Sequence, residues 1–173
     1  WNSYREATAS KIEGAWNLHQ LTQNDPIRLM VLYSSAASII GSPGQESYAA
    51  GNAFLDALAH HRASHGLQTL SVNWGAWAST GMAVRRSAEQ TARWTRLGSR
   101  PMQSVDALAV LQAAIESRRT QVSIMDMDWE QFLSGRTDSG DATLFKELQR
   151  REQHEDSSRK NAVDDAEAEF NIL

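Results

Sequence analysis

Four side chains near the start of this chain have the types and spacing for proton transfer from a tyrosine: Lys11, Ser35, Tyr48 and Asn52. Tyr48 and Asn52 stand at i and i+4, which puts both on one face of a helix. A free phenol titrates near roughly pH 10 and is a poor acid–base catalyst near neutrality. An ammonium about 4 Å away, at an effective dielectric near 20, favours the phenolate by about 4 kcal/mol, or roughly three pK units. That brings a tyrosine into working range, and a nearby lysine is the group to supply it. Ser35 is then placed to hold a carbonyl oxygen, and Asn52 to orient a proton-relay water. Each residue taken singly has a plain structural reading: turn chemistry for Ser34-Ser35, packing for Tyr48, solvent exposure for Asn52. Their arrangement is what carries information.

The elements that must position these groups follow from periodicity. Residues 3 to 23 read as a helix opened by the capping box Ser3-Tyr4-Arg5-Glu6, with Ile12, Ala15, Trp16 and His19 on its buried face. Asn24-Asp25-Pro26 breaks it. Residues 28 to 33 are an apolar run of strand length without alternation, as in a strand covered on both faces. Residues 34 to 46 hold Gly41, Pro43 and Gly44 and read as a loop. Residues 47 to 65 read as a helix closed by Gly66. Residues 69 to 74 form a second strand, followed by the loop from Gly75 to Gly81. Helices are predicted over 82–96 and 104–117, and a third, shorter strand over 121–125. A weak amphipathic helix carries Leu144, Phe145 and Leu148. Strands alternating with helices imply a parallel sheet with helical crossovers, an α/β fold. A first helix with no preceding strand makes this look like part of a doubly wound, Rossmann-like sheet with flanking helices.

Composition narrows the chemistry. The chain has 173 residues, no cysteine and 41% apolar residues, about one domain's worth of foldable sequence. Zero cysteine removes disulfide scaffolds, cysteine-ligated zinc, iron–sulfur clusters and cysteine nucleophiles, and fits a reducing cytoplasm. A net charge of −4 argues against nucleic acid as a partner, and no run is long enough to cross a membrane. Residues 1–136 carry 12 basic and 11 acidic side chains, whereas residues 137–173 carry 5 basic and 10 acidic ones. The first segment reads as a packed body, the second as a flexible acidic tail. Of the 12 basic residues in the body, 11 are arginine, so Lys11 stands out as a compact, tunable ammonium. Neither G-x-G-x-x-G nor G-x-x-x-x-G-K-[ST] occurs.

Four separated motifs together resemble a family. They are the run from Val31 to Ala37 with Ser34-Ser35, the turn Gly41-Ser42-Pro43-Gly44-Gln45, the stretch from Tyr48 to Ala59, and Asn73-Trp74-Gly75-Ala76-Trp77. In this order and at these spacings they resemble the ketoreductase domain of modular polyketide synthases, within the short-chain dehydrogenase/reductase superfamily. Lys11-Ile12-Glu13-Gly14-Ala15-Trp16-Asn17-Leu18 is similar to that family's lysine-bearing segment. Ordinary superfamily members carry the lysine four residues after the tyrosine. Here that position is Asn52 and the lysine lies earlier, which is what the polyketide ketoreductases look like.

The resemblance covers about residues 1–133 and implies specific roles. Tyr48 is the expected proton donor, Ser35 the second hydrogen-bond donor to the ketone oxygen, and Ser34 only its neighbour. Lys11 is expected to hold the nicotinamide ribose and tune Tyr48, with Asn52 completing the tetrad. Trp74, Gly75, Ala76 and Trp77 are expected to flank the nicotinamide, and Gly81-Met82 to open a lid. The implied reaction is NADPH-dependent reduction of a β-ketoacyl thioester, polyketide or fatty acyl, borne by an acyl carrier protein among other megasynthase domains. Ile40 stands where A-type enzymes carry tryptophan and Pro43 where B-type enzymes carry proline, so the resemblance points to B-type, although Ser47 replaces the usual asparagine. Residues 1–136 are then the C-terminal half of the catalytic domain, expected to be inactive without an N-terminal nucleotide-binding half. A non-catalytic structural or docking segment of a megasynthase is the alternative reading.

Overall fold

The computed structural model describes residue 4, residues 8–78 and 88–134, and residue 145. In chain order its elements are α1 (Glu13–Thr22), β1 (Met30–Ser35), α2 (Ala37–Ile40), α3 (Glu46–Ser64), β2 (Thr69–Trp74), α4 (Ala88–Arg96), β3 (Ser99–Arg100), α5 (Ser104–Glu116), β4 (Gln121–Ile124), β5 (Asp126–Met127) and α6 (Trp129–Ser134). The chain divides into two compact units, Trp1–Arg85 with Pro101–Asp126, and Arg86–Arg100 with Met127–Leu173.

The first unit is built on a three-stranded sheet of order β1-β2-β4, parallel throughout. Parallel pairing follows from the connections, since each strand reaches the next through a helix. Met30 pairs with Thr69 and Ser35 with Trp74, so the first two strands end level with each other. Ser71 pairs with Gln121 and Trp74 with Ile124 on the other side. The central strand β2 is buried at every position and its two faces differ in kind. Leu70, Val72 and Trp74 pack with Ala107 and Ala114 of α5 and Ile124 of β4. Thr69, Ser71 and Asn73 alternate with them and bond to side chains of α3. On that side a second apolar cluster joins Ala15 of α1, Leu32 of β1, and Leu55, Leu58 and Ala59 of α3. Helices on both faces of a parallel sheet are the expected α/β arrangement.

Helix α3 ends where the sequence places its stop. Gly66 takes φ +75°, its N–H donates to Ala63 O at 3.0 Å, and Leu67 N–H donates to Arg62 O at 3.0 Å. This is a Schellman closure, which the missing Cβ permits.

Three expectations are corrected. The helix expected over residues 3–23 is interrupted: residues 8 and 9 are helical, residues 10–12 form a turn in which Thr8 O accepts from both Lys11 N–H (3.0 Å) and Ile12 N–H (2.8 Å), and the helix resumes as α1 at Glu13. The turn leaves Lys11 at a corner against α3, where a Cβ added to Gly51 would meet Lys11 Cβ at 3.5 Å and Thr8 Cγ2 at 3.7 Å. The first strand runs two residues further than expected, so Ser34 and Ser35 are its last residues instead of a turn. The expected loop after it contains the short helix α2.

In the second unit, β3 pairs with β5 and α6 follows, none of them anticipated from sequence. Pairs only two residues long leave no periodicity to read. Phe132 packs edge-on against Trp129 and Phe145, with ring centroids 5.7 and 5.3 Å apart. The Gly81-Met82 lid and the acidic tail, apart from Phe145, lie outside the described residues.

Candidate active site

Ser35 is the last residue of β1, and Lys11, Tyr48 and Asn52 gather near that strand's carboxyl end, where open parallel sheets present their ligand-binding groups. Strand alternation sends Ser34 and Ser35 to opposite faces. Ser34 faces α3, donating to Asn52 O at 3.1 Å. Ser35 Oγ accepts from Ala37 N–H at 3.2 Å, which leaves its own proton available to a further acceptor. Ser34 is thereby tied to α3, and Ser35 to the start of α2.

Tyr48 is half-buried, and its hydroxyl makes no hydrogen bond among the described residues. One turn on, Asn52 is fully buried and its Nδ2 donates back to Tyr48 O at 2.7 Å. Lys11 arrives from the broken N-terminal helix. Its Nζ donates to Tyr33 O at 3.0 Å and lies 5.8 Å from the Tyr48 ring centroid. Burial pushes the Lys11 ammonium below its ordinary range, and the Asp56 carboxylate partly opposes this. Lys11, Tyr48 and Asn52 are thus brought together. Ser35 stands on the adjoining strand with no direct hydrogen bond to Tyr48.

The loop from Trp74 to Trp77 leaves β2 beside Ser35, joined to it where Ala36 N–H donates to Trp74 O at 2.9 Å. Gly75 N–H donates to Ile124 O, and a Cβ on Gly75 would come within 2.7 Å of Met125 Cβ. Ala76 O accepts from Met102 N–H at 2.8 Å, and Ala78 N–H donates to Met102 O at 2.8 Å. The Trp74 ring lies 5.5 Å from Tyr33 and 4.9 Å from Trp77. The loop is therefore rigidly placed at the same sheet end as the tetrad.

Among the described residues two buried polar atoms lack a protein partner: Asn52 Oδ1, an acceptor, and Trp74 Nε1, a donor. Native proteins leave few such atoms, and those they leave are commonly completed by water or ligand. Asn52 Oδ1 lies on the α3 side of the sheet and Trp74 Nε1 on the α5 side, so they are two separate positions. Lys11 Nζ and the Tyr48 hydroxyl are proton donors on the α3 side, a chemistry that suits a carbonyl oxygen and the ribose hydroxyls of a nicotinamide cofactor. Neither G-x-G-x-x-G nor G-x-x-x-x-G-K-[ST], the motifs that seat a pyrophosphate or phosphate, occurs in the 173 residues.

Sequence reasoning missed the polar seam beneath this site. Asp56 Oδ1 accepts from Ser71 Oγ at 2.6 Å, and Asp56 Oδ2 lies 2.7 Å from Ser38 Oγ and 2.8 Å from Asn73 Nδ2. Asn73 Nδ2 also lies 3.1 Å from Ser34 Oγ, and Asn73 Oδ1 accepts from Gln121 Nε2 at 2.9 Å. One signal was present: Tyr48, Asn52 and Asp56 continue at four-residue spacing along one helix face. The other was the alternation of Thr69, Ser71 and Asn73 with apolar neighbours in a strand buried on both sides.

The fold and site together define a Rossmann-like α/β protein of the short-chain dehydrogenase/reductase superfamily. Residues 2–79 match the family model of the KR domain. Polyketide synthase GfsB of Streptomyces halstedii is 37% identical over 166 residues, 94% of this chain and 3% of that protein. Erythronolide synthase EryA3 of Saccharopolyspora erythraea is 41% identical over 140 residues, 81% of this chain and 4% of that protein. A solved structure of A-type ketoreductases from modular polyketide synthase superposes with a TM-score of 0.71 at 42% identity, covering 75% of this chain and 27% of that one. The chain belongs to the ketoreductase domain family of modular polyketide synthases, and it spans only a small part of these synthases.

Proposed function

We propose that this chain carries the acid–base half of a ketoreductase site that reduces the β-keto group of an acyl thioester to the β-hydroxyacyl form. The carrying observation is the convergence of Lys11, Tyr48 and Asn52 near the carboxyl end of β1, the strand whose last residue is Ser35. In this reading residues 1–136 are the C-terminal half of the catalytic domain and residues 137–173 an acidic linker. The substrate is a polyketide or fatty acyl chain on an acyl carrier protein, presented among other megasynthase domains in the cytoplasm. Among the described residues no helix is long and apolar enough to cross a membrane. Ile40 and Pro43 support the B-type assignment.

NADPH, when bound, supplies the hydride. The chain's own residues do the rest. Ser35 and Tyr48 hold the ketone oxygen by their hydroxyl protons, which polarises the carbonyl before reduction. Tyr48 gives its proton to that oxygen as negative charge develops there. Lys11, tied to Tyr33 O, holds positive charge beside the ring and so favours the phenolate left behind. Asn52 Oδ1 orients a water that returns the proton. Lys11 and Tyr48 would hold the ribose end of the cofactor, and the Trp74–Trp77 loop would flank its nicotinamide.

The test is Tyr48→Phe in a complete ketoreductase domain that carries this chain. Reduction of a β-ketoacyl thioester should fall by at least about 10²-fold while NADPH affinity stays within a few-fold, since only the transferable proton is lost. Appreciable turnover by the variant would overturn the assignment.

A further inference from the structure

We propose that Ser38, the second residue of α2, is a positioning residue that fixes where Ser35 stands, a role that rests on the ketoreductase reading above. Ser38 Oγ lies 2.8 Å from Ser35 O and 2.7 Å from Asp56 Oδ2, and it accepts from Asn73 Nδ2 at 2.8 Å. Its single proton is divided between the Ser35 carbonyl and the Asp56 carboxylate. Among the described residues, Ser38 is thereby the one side chain that bonds both to Asp56 and, at short range, to the residue presenting the reactive hydroxyl. Asn73 Nδ2 approaches Ser35 O only at 3.5 Å, the margin of a hydrogen bond.

The anchor behind Ser38 is stiff. Asp56 is buried and receives Ser71 Oγ at 2.6 Å and Asn73 Nδ2 at 2.8 Å, with both donors fully buried. Hydrogen bonds to a charged acceptor in such surroundings are stronger than neutral ones, and connected polar groups hold one geometry. A polar seam between a helix and a buried strand costs stability relative to an apolar one, so its retention needs a reason. Here the seam runs from α3 through Ser38 to the end of β1, and what it fixes is the Ser35 backbone. Ala37 N–H, donating to Ser35 Oγ at 3.2 Å, closes the loop and aims the hydroxyl. A shift of about 1 Å in such a group is enough to lose much of a rate.

Ser38→Ala and Ser71→Ala make a matched pair. Each deletes one hydroxyl that touches Asp56, and only the first touches Ser35. In the complete ketoreductase domain carrying this chain, two readouts apply: amide hydrogen exchange at Ala37 relative to Val72, and kcat against KM for a β-ketoacyl thioester. Ser38→Ala is expected to speed exchange at Ala37 about tenfold over Val72 and to lower kcat about tenfold with KM within twofold. Ser38→Thr, which keeps the hydroxyl, should restore both. Ser71→Ala, which removes a bond to Asp56 but none to Ser35, should change the Ala37 to Val72 exchange ratio and kcat much less than Ser38→Ala does, whatever it does to overall stability. Unchanged Ala37 exchange in Ser38→Ala, or equal loss of kcat in both variants, would overturn the proposal. The exchange readout needs no reaction, so an altered Ala37 ratio in a protein without reductase activity would sink the ketoreductase reading alone.

Discussion

Acid should weaken the hold of α1 on α3, and with it the seat of Lys11. Arg62, 1% exposed, donates Nη1–H to His19 Nδ1 at 3.0 Å and Nε–H to Thr69 Oγ1 at 2.9 Å. A guanidinium has no acceptor, so His19 Nδ1 must be the lone-pair nitrogen and the ring must be neutral. Protonating it would set a second cation against Arg62 and replace an acceptor by a donor. Burial, then Arg62, then His61 and His65 all push the His19 imidazole below its ordinary range. The unfolded chain therefore takes up this proton first, and stability falls as pH drops below about 6.5, the ordinary histidine value. Above it the penalty is absent. If folded His19 stays neutral throughout, the loss between about pH 7.5 and 5.5 is about 1.4 kcal/mol, the limit for one proton.

Urea titration followed by tryptophan fluorescence, at several pH values in that window, measures the effect in the complete domain. His19→Asn keeps an acceptor oxygen near Nδ1 and cannot titrate, so it should flatten the pH dependence by about 1.4 kcal/mol. Because α1 follows directly on the turn that seats Lys11, reductase activity should fall over the same window and fall less in the variant. Identical pH slopes for wild type and His19→Asn would refute the reasoning and mean that His19 takes up its proton as readily folded as unfolded.

Lys11→Arg should lower the reduction rate steeply, because a planar fork cannot occupy the compact ammonium's place between Tyr33 O and the Tyr48 ring. Burial lowers the Lys11 pKa, so the wild-type rate should fall as pH rises through it; arginine stays charged, and the alkaline limb of the variant's pH–rate profile should move upward. A wild-type profile would make Lys11 an ordinary surface cation. Gly75→Ala should cost about 1–3 kcal/mol in thermal unfolding and weaken NADPH binding, since the new Cβ would sit 2.7 Å from Met125 Cβ and must push the Trp74–Trp77 loop outward. Unchanged cofactor affinity would show that the loop does not flank the nicotinamide.

Residue type and spacing were enough to nominate Lys11, Ser35, Tyr48 and Asn52, to read an α/β fold, and to place β2 and the Gly66 stop of α3. These features are local: a buried strand, a helix face at i and i+4, and a glycine at a left-handed position each leave a mark within a few residues. Tertiary structure alone decided how Lys11 reaches Tyr48, through a turn at Thr8–Ile12 that the capping box and helical spacing had concealed. It also decided that Ser34 bonds to α3 while Ser35 bonds to α2, because that depends on where β1 ends and on which face α3 lies. The seam of Asp56, Ser71, Asn73 and Ser38 joins residues up to 35 positions apart. Read singly they are ordinary polar residues, and only the packing of α3 on the sheet turns them into partners. Complementarity of that kind is a property of pairs brought together by folding, and no periodicity within one segment encodes it.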